Sequence, residues 1–139
     1  MTAVLWALLA ACVWGIVPIL EKLGLGGVPS AYVGLFYRCL GVLLGLLVLG
    51  LFIIKPSQLR NIEPKTVFLL ILSGFLASFV AQIFFYHGLR AGEASRIVPI
   101  VGSYPMITFI LAVLLLGEGL SVSKIIGVIL ISGGIWLLR

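Results

Sequence analysis

One arginine stands inside an otherwise apolar run. Arg38 lies about 10 Å into the stretch 31–54 at 1.5 Å per helical residue, and Gly34, Gly41 and Gly45 share its helical face at spacings of four, three and four. A guanidinium on so small a face is expected to point into a bundle rather than into lipid. Three acceptors can serve it there: backbone carbonyls, a glutamate reaching in from a helix end, or an anionic group on a ligand. Two plainer readings stand beside this one. The glycines alone make a small-xxx-small seam for packing or dimerisation, and the arginine side chain is long enough to snorkel toward the nearer interface. The acids, Glu21, Glu63, Glu93 and Glu118, fall at or beyond the ends of the apolar runs, and the chain has no aspartate. That placement argues against a pump exchanging cations for protons at a buried carboxylate. It favours solutes bearing a carboxylate or phosphate.

Other polar residues are few and regularly placed. Gly74, Ser78 and Gln82 follow one another at intervals of four, a thin stripe that either lines a cavity or bonds between helices. His87 closes the run beside Phe84, Phe85 and Tyr86, in an interfacial setting where proton coupling is an alternative role. Pro99 and Pro105 flank Gly102, Ser103 and Tyr104, so the helix holding them is expected to kink, with backbone carbonyls freed against protein or a wet cavity. Trp14, Gly15 and Pro18 supply a similar aromatic flex point near the N-terminus.

The inventory excludes much else. One histidine, no aspartate, no phosphate-binding glycine loop and no metal-ligand spacing leave no basis for an enzyme, a metal site or a cofactor. Cys12 and Cys39 read as small packing residues within apolar runs. The net charge of +5 is spread over short loops with no basic cluster, which suits membrane-interface anchoring and offers nothing to nucleic acid.

These residues must be held by membrane-spanning helices. Five apolar runs, 3–20, 31–54, 66–86, 97–117 and 120–138, each approach the roughly 20 residues that cross a bilayer core. A composition 63% hydrophobic and 9% charged points to the same all-α integral membrane bundle. The fifth run is the weakest, because only 125–138 is free of charge, about 21 Å of helix, and Lys124 must sit at the interface. Gly24, Gly26, Gly27 and Pro29 break the chain after the first run, and Pro64 suits a first helical turn. Short connections make sequential helices antiparallel neighbours in one compact bundle. With the N-terminus on one side, Lys55, Arg60, Lys65 and Lys124 share that side, and Lys22, Arg90, Arg96 and Arg139 share the other. Orientation normally follows an excess of Lys and Arg on the cytoplasmic side, so this balance permits insertion both ways.

The order of short motifs resembles a known family. Phe85-Tyr86-His87-Gly88-Leu89-Arg90-Ala91-Gly92-Glu93-Ala94-Ser95, then Val98-Pro99-Ile100, Tyr104-Pro105, Leu115-Leu116-Gly117-Glu118-Gly119-Leu120, Gly127 and Gly133-Gly134, are similar to the EamA-type domain of the drug/metabolite transporter superfamily. Trp14-Gly15 and Tyr37-Arg38 stand where that family has a tryptophan-glycine pair and an arginine. The resemblance covers essentially the whole chain. It implies a multi-pass protein of the cell (inner or plasma) membrane carrying small metabolites, amino-acid-like or anionic ones included, by alternating access. It places Trp14, Arg38, Gln82, Ser103 and Tyr104 around the solute and Pro18, Pro99 and Pro105 at flex points, while the spacing of Gly34, Gly41 and Gly45 assigns them to packing or dimer contacts. Glu118, in the glycine-glutamate signature, is expected to satisfy backbone amides or a basic residue at the turn into the fifth helix. Typical members resemble two such domains in tandem, so one five-helix copy implies an antiparallel homodimer, with a parallel dimer or a different half-size partner as alternatives. A lipid-linked sugar flippase and a non-transporting assembly subunit are the competing functions.

Overall fold

A computed structural model describes residues 3–60 and 62–137, so Leu138, expected to close the fifth run, and Arg139 of the loop tally lie outside the described residues. Among the described residues the long helices are α1 (Ala3–Gly26), α2 (Ala31–Ile53), α3 (Pro64–Ala91), α4 (Ala94–Leu116) and α5 (Val122–Leu137), with a short 3-10 turn at Pro56–Leu59. No strand occurs among the described residues. The first four helices are long and apolar enough to cross a membrane, while α5 has 16 residues, about 24 Å. Large apolar side chains such as Leu51, Phe52 and Leu115 are exposed along α2 and α4, as lipid-facing residues are. The chain divides into two compact units, 1–91 holding α1 to α3 and 92–139 holding α4 and α5.

In the first unit, glycines and proline end α1, and the next helix starts on Ser30, whose Oγ accepts from the Val33 amide at 3.3 Å. Pro64 opens α3 within its first turn, as the sequence suggests. The buried apolar residues Leu25, Ala31, Leu35, Tyr86 and Leu89 gather where the end of α1, the start of α2 and the end of α3 meet. Of the glycines on the Arg38 face of α2, Gly34 is the one closely approached. A Cβ built there would lie 2.6 Å from Leu25 Cδ2 and 3.4 Å from Tyr86 Cε2, whereas Gly41 and Gly45 have no such neighbour within 4 Å.

Two departures from the sequence reading bear on the site. The apolar run ends at residue 20, but α1 continues to Gly26, so Glu21 and Lys22 lie inside the helix. Charge does not end a helix whose polar groups find partners, and the Lys22 ammonium donates to the carbonyl of Leu89 on α3. Second, α3 contains a π turn at Leu76–Val80, as α2 does at Leu49–Ile53. Of the stripe Gly74, Ser78 and Gln82, Ser78 lies within the α3 turn.

In the second unit, α4 is broken between Ala94–Val101 and Tyr104–Leu116, with Gly102 and Ser103 forming the turn between the two prolines. Gly117 closes the helix at φ 66°, and the Glu118 amide reaches back to the Ala112 carbonyl at 3.2 Å. Glu118 Oε2 accepts from Lys124 Nζ at 3.3 Å, so a basic residue at the turn is its partner.

Candidate functional site

Arg38 does have a buried carboxylate opposite it. Its Nε donates to Glu21 Oε1 at 3.2 Å, and its Nη1 donates to the backbone carbonyl of Ser78 at 3.1 Å. Of the three acceptors that the sequence leaves open to Arg38, the structure supplies a glutamate near a helix end and a backbone carbonyl. The apolar run is shorter than the helix, and α1 carries Glu21 past the end of that run. The inference toward anionic solutes, which rested on an unopposed cation, loses its premise. Ser78 contributes its carbonyl rather than its hydroxyl, and it sits in the π turn, where the helical ladder is interrupted and such an oxygen is available.

The same Glu21 oxygen collects two further donors from α3, Gln82 Nε2 at 2.8 Å and Tyr86 OH at 3.1 Å. Four polar side chains from three helices therefore meet at one atom. Glu21 keeps 9% of its side-chain surface exposed and Arg38 27%. Glu21, Arg38, Tyr37 and Tyr86 border a cavity of about 470 Å³ whose other walls include Val17, Leu20 and Leu25. A volume of that order is typical of small-molecule pockets, which combine mostly apolar walls with a few fixed polar groups.

Of the residues singled out from sequence, Arg38 and Gln82 come together on Glu21. Trp14 is exposed on α1 and does not line this cavity. Pro18 is buried within α1, one turn before Glu21. In the second unit, Ser103 borders a cavity of about 310 Å³ with Met106, Ser132 and Trp136, while Tyr104 and Pro105 border another of about 460 Å³ with Thr108, Glu118 and Lys124. Pro99 lies in the first segment of α4. His87 stacks edge-on against Tyr32 with ring centres 5.4 Å apart. Sequence reasoning admits a glutamate from a helix end without choosing Glu21, and it misses Tyr86 as a site residue, yet a signal for both exists. Trp14, Pro18, Glu21 and Leu25 follow at helical spacing on one face of α1, and Gln82, Tyr86 and Leu89 do the same on α3. No group of His, Cys, Asp or Glu fit to hold a metal occurs among the described residues.

Helices this long and apolar define a multi-pass membrane protein. The chain matches the EamA-like transporter family over residues 1–139, and it belongs to that family. It is also 29% identical over 137 residues to an uncharacterized protein of Methanocaldococcus jannaschii, an alignment covering 99% of this chain and 96% of the relative. No solved structure matches the chain.

Proposed function

We propose that the protein carries small organic solutes, amino-acid-like ones among them, across the cell membrane by alternating access. The supporting observation is the cluster of Glu21, Arg38, Gln82 and Tyr86 at the 470 Å³ cavity. Ionisable groups at membrane depth are costly and mark solute or ion paths far more often than they serve packing. Family membership supports the same class. A second five-helix copy, inverted in the membrane, completes the path in this reading, and the evenly divided loop cations permit both orientations. Trp14, Ser103 and Tyr104 are proposed as further solute-contacting residues, with Pro18, Pro99 and Pro105 as flex points and Gly41 and Gly45 in the contact between copies.

The test is counterflow of radiolabelled amino acids into proteoliposomes holding the purified chain. Counterflow above empty vesicles, abolished by Arg38→Ala in a variant that still dimerises, is the expected result. Unchanged counterflow in Arg38→Ala removes Arg38 from the path. Scrambling of a lipid-linked sugar without solute counterflow turns the reading to a flippase, and neither activity turns it to an assembly subunit. C-terminal fusions, one to a reporter active only in the cytoplasm and one to a reporter active only outside it, are expected to report together. A signal from one alone overturns the inverted homodimer.

A further inference from the structure

Between α4 and α5 the second unit holds a groove of about 460 Å³ that carries charge at one end only. Glu118 and Lys124 stand at its mouth, and its walls further in include Phe109, Ala112, Gly127 and Ile131. The lining runs from Ser123 to Ile131 on α5, about 12 Å of helix, so the space is elongated along the helices. No side chain fills it at Gly127, where an added Cβ would meet nothing within 4 Å. Large apolar residues beside it, Leu111, Leu115 and Leu130, are exposed, as residues against lipid are. Both charges at the mouth keep bonding capacity. Glu118 Oε2 accepts from Lys124 Nζ, which also donates to the Gly119 carbonyl. That leaves Glu118 Oε1 with no donor among the described residues and one of the three ammonium hydrogens of Lys124 with no acceptor, on side chains 52% and 46% exposed. An elongated apolar slot, ended by a free anionic acceptor and a free cationic donor, has the order of parts of a zwitterionic phospholipid.

We propose that the groove between α4 and α5 holds an aminophospholipid, with its ammonium donating to Glu118 Oε1, its phosphate accepting from Lys124 Nζ and an acyl chain lying past Gly127 toward Ile131. The level in the membrane suits this. Glu118 follows the end of α4, and Lys124 lies in the first turn of α5, so the pair sits where headgroups are and the groove lies among the chains. An exposed ion pair contributes little, so a headgroup separates the two side chains at small cost. Selectivity follows from the donors each headgroup carries. A choline head has the positive charge but no N–H for Glu118, and a glycerol head brings no cation to that carboxylate. The far end of the groove reaches Tyr104, so the bound chain comes close to a residue proposed to meet the solute. Lipid is here a resident partner rather than cargo, so its binding and solute counterflow are separate readouts.

Native mass spectrometry of the full chain released from detergent micelles reads bound lipid directly. The probes are dioleoyl phosphatidylethanolamine, its N,N-dimethyl form, phosphatidylcholine and phosphatidylglycerol, each added at the same concentration. Phosphatidylethanolamine is expected to bind about fivefold more tightly than phosphatidylcholine, the ratio that an exposed charged hydrogen bond supports, and the dimethyl form, which keeps one N–H, to fall between them. Glu118→Gln is expected to bring phosphatidylethanolamine down to the level of phosphatidylcholine and to leave phosphatidylcholine unchanged. Gly127→Leu extends a side chain into the open space and is expected to weaken all four lipids. Equal binding of the ethanolamine and choline lipids overturns the proposal, as does tighter binding of phosphatidylglycerol, for which attraction to Lys124 is enough. A preference that survives Glu118→Gln takes recognition away from that carboxylate, and lipid binding untouched by Gly127→Leu moves the lipid out of the groove. Loss of dimer without loss of lipid in Gly127→Leu gives the groove to a second copy of the chain. The wild-type ranking along the methylation series decides the headgroup claim however the variants fold.

Discussion

Glu21 and Arg38 are expected to depend on each other for stability, and a double-mutant cycle measures by how much. In Arg38→Gln the carboxylate of Glu21, 9% exposed, keeps only the neutral donors Gln82 and Tyr86. Breaking a buried pair by removing one partner costs about 3–5 kcal/mol, and the surviving donors place this variant near about 3. In Glu21→Gln an amide oxygen still accepts one or two of the donors, and Arg38 is 27% exposed and keeps the Ser78 carbonyl, so the cost falls to about 2 kcal/mol. The double variant has no unpaired charge and is expected to lose about 3 kcal/mol, which leaves a coupling of roughly 2 kcal/mol. Reversible unfolding in mixed micelles, titrated with sodium dodecyl sulfate and followed by far-ultraviolet circular dichroism, gives the four free energies. Additivity to within about 0.5 kcal/mol would show that the two side chains do not meet in the folded protein. A larger loss in Glu21→Gln than in Arg38→Gln would refute the argument from their unequal burial.

Four further outcomes are tied to particular positions. Gly34→Val places a branched side chain where even a Cβ would be 2.6 Å from Leu25 Cδ2, and both neighbours are buried, so it is expected to destabilise by about 1–3 kcal/mol in the same titration. Gly41→Ala and Gly45→Ala meet nothing within 4 Å and are expected to stay within about 0.5 kcal/mol, so any loss of dimer in crosslinking reports a contact between copies. Gly117→Ala forces an L side chain to φ 66° and is expected to cost about 1 kcal/mol by the same measurement. Glu118→Gln breaks an ion pair whose side chains are 52% and 46% exposed, and a change above about 1 kcal/mol would show that it does more than the 3.3 Å contact with Lys124 accounts for.

Composition and period are legible in this sequence; where a helix stops and whether its turns are regular are not. The long apolar runs require spanning helices, and Pro99 and Pro105 bracket the break in α4 because a missing amide hydrogen is a property of the residue itself. Arg38 is legible as an anomaly for the same reason, since no lipid-facing position suits it. Its partner is legible only as one of four glutamates near helix ends, because a hydropathy edge marks where apolar residues end rather than where the helix ends. At α1 the helix runs on from residue 20 to Gly26, and Glu21 falls in the gap. The π turn in α3 is hidden too, since an interval of four in sequence implies one face only if every turn is α-helical, and no residue type announces the exception. Those two features are joined through a single side chain. Arg38 holds the irregular turn of α3 by the Ser78 carbonyl and the polar end of α1 by Glu21, so whatever draws on Glu21 also changes the hold of Arg38 on α3. A change at Glu21 is therefore passed to the point in this unit where a long helix departs from α-helical geometry.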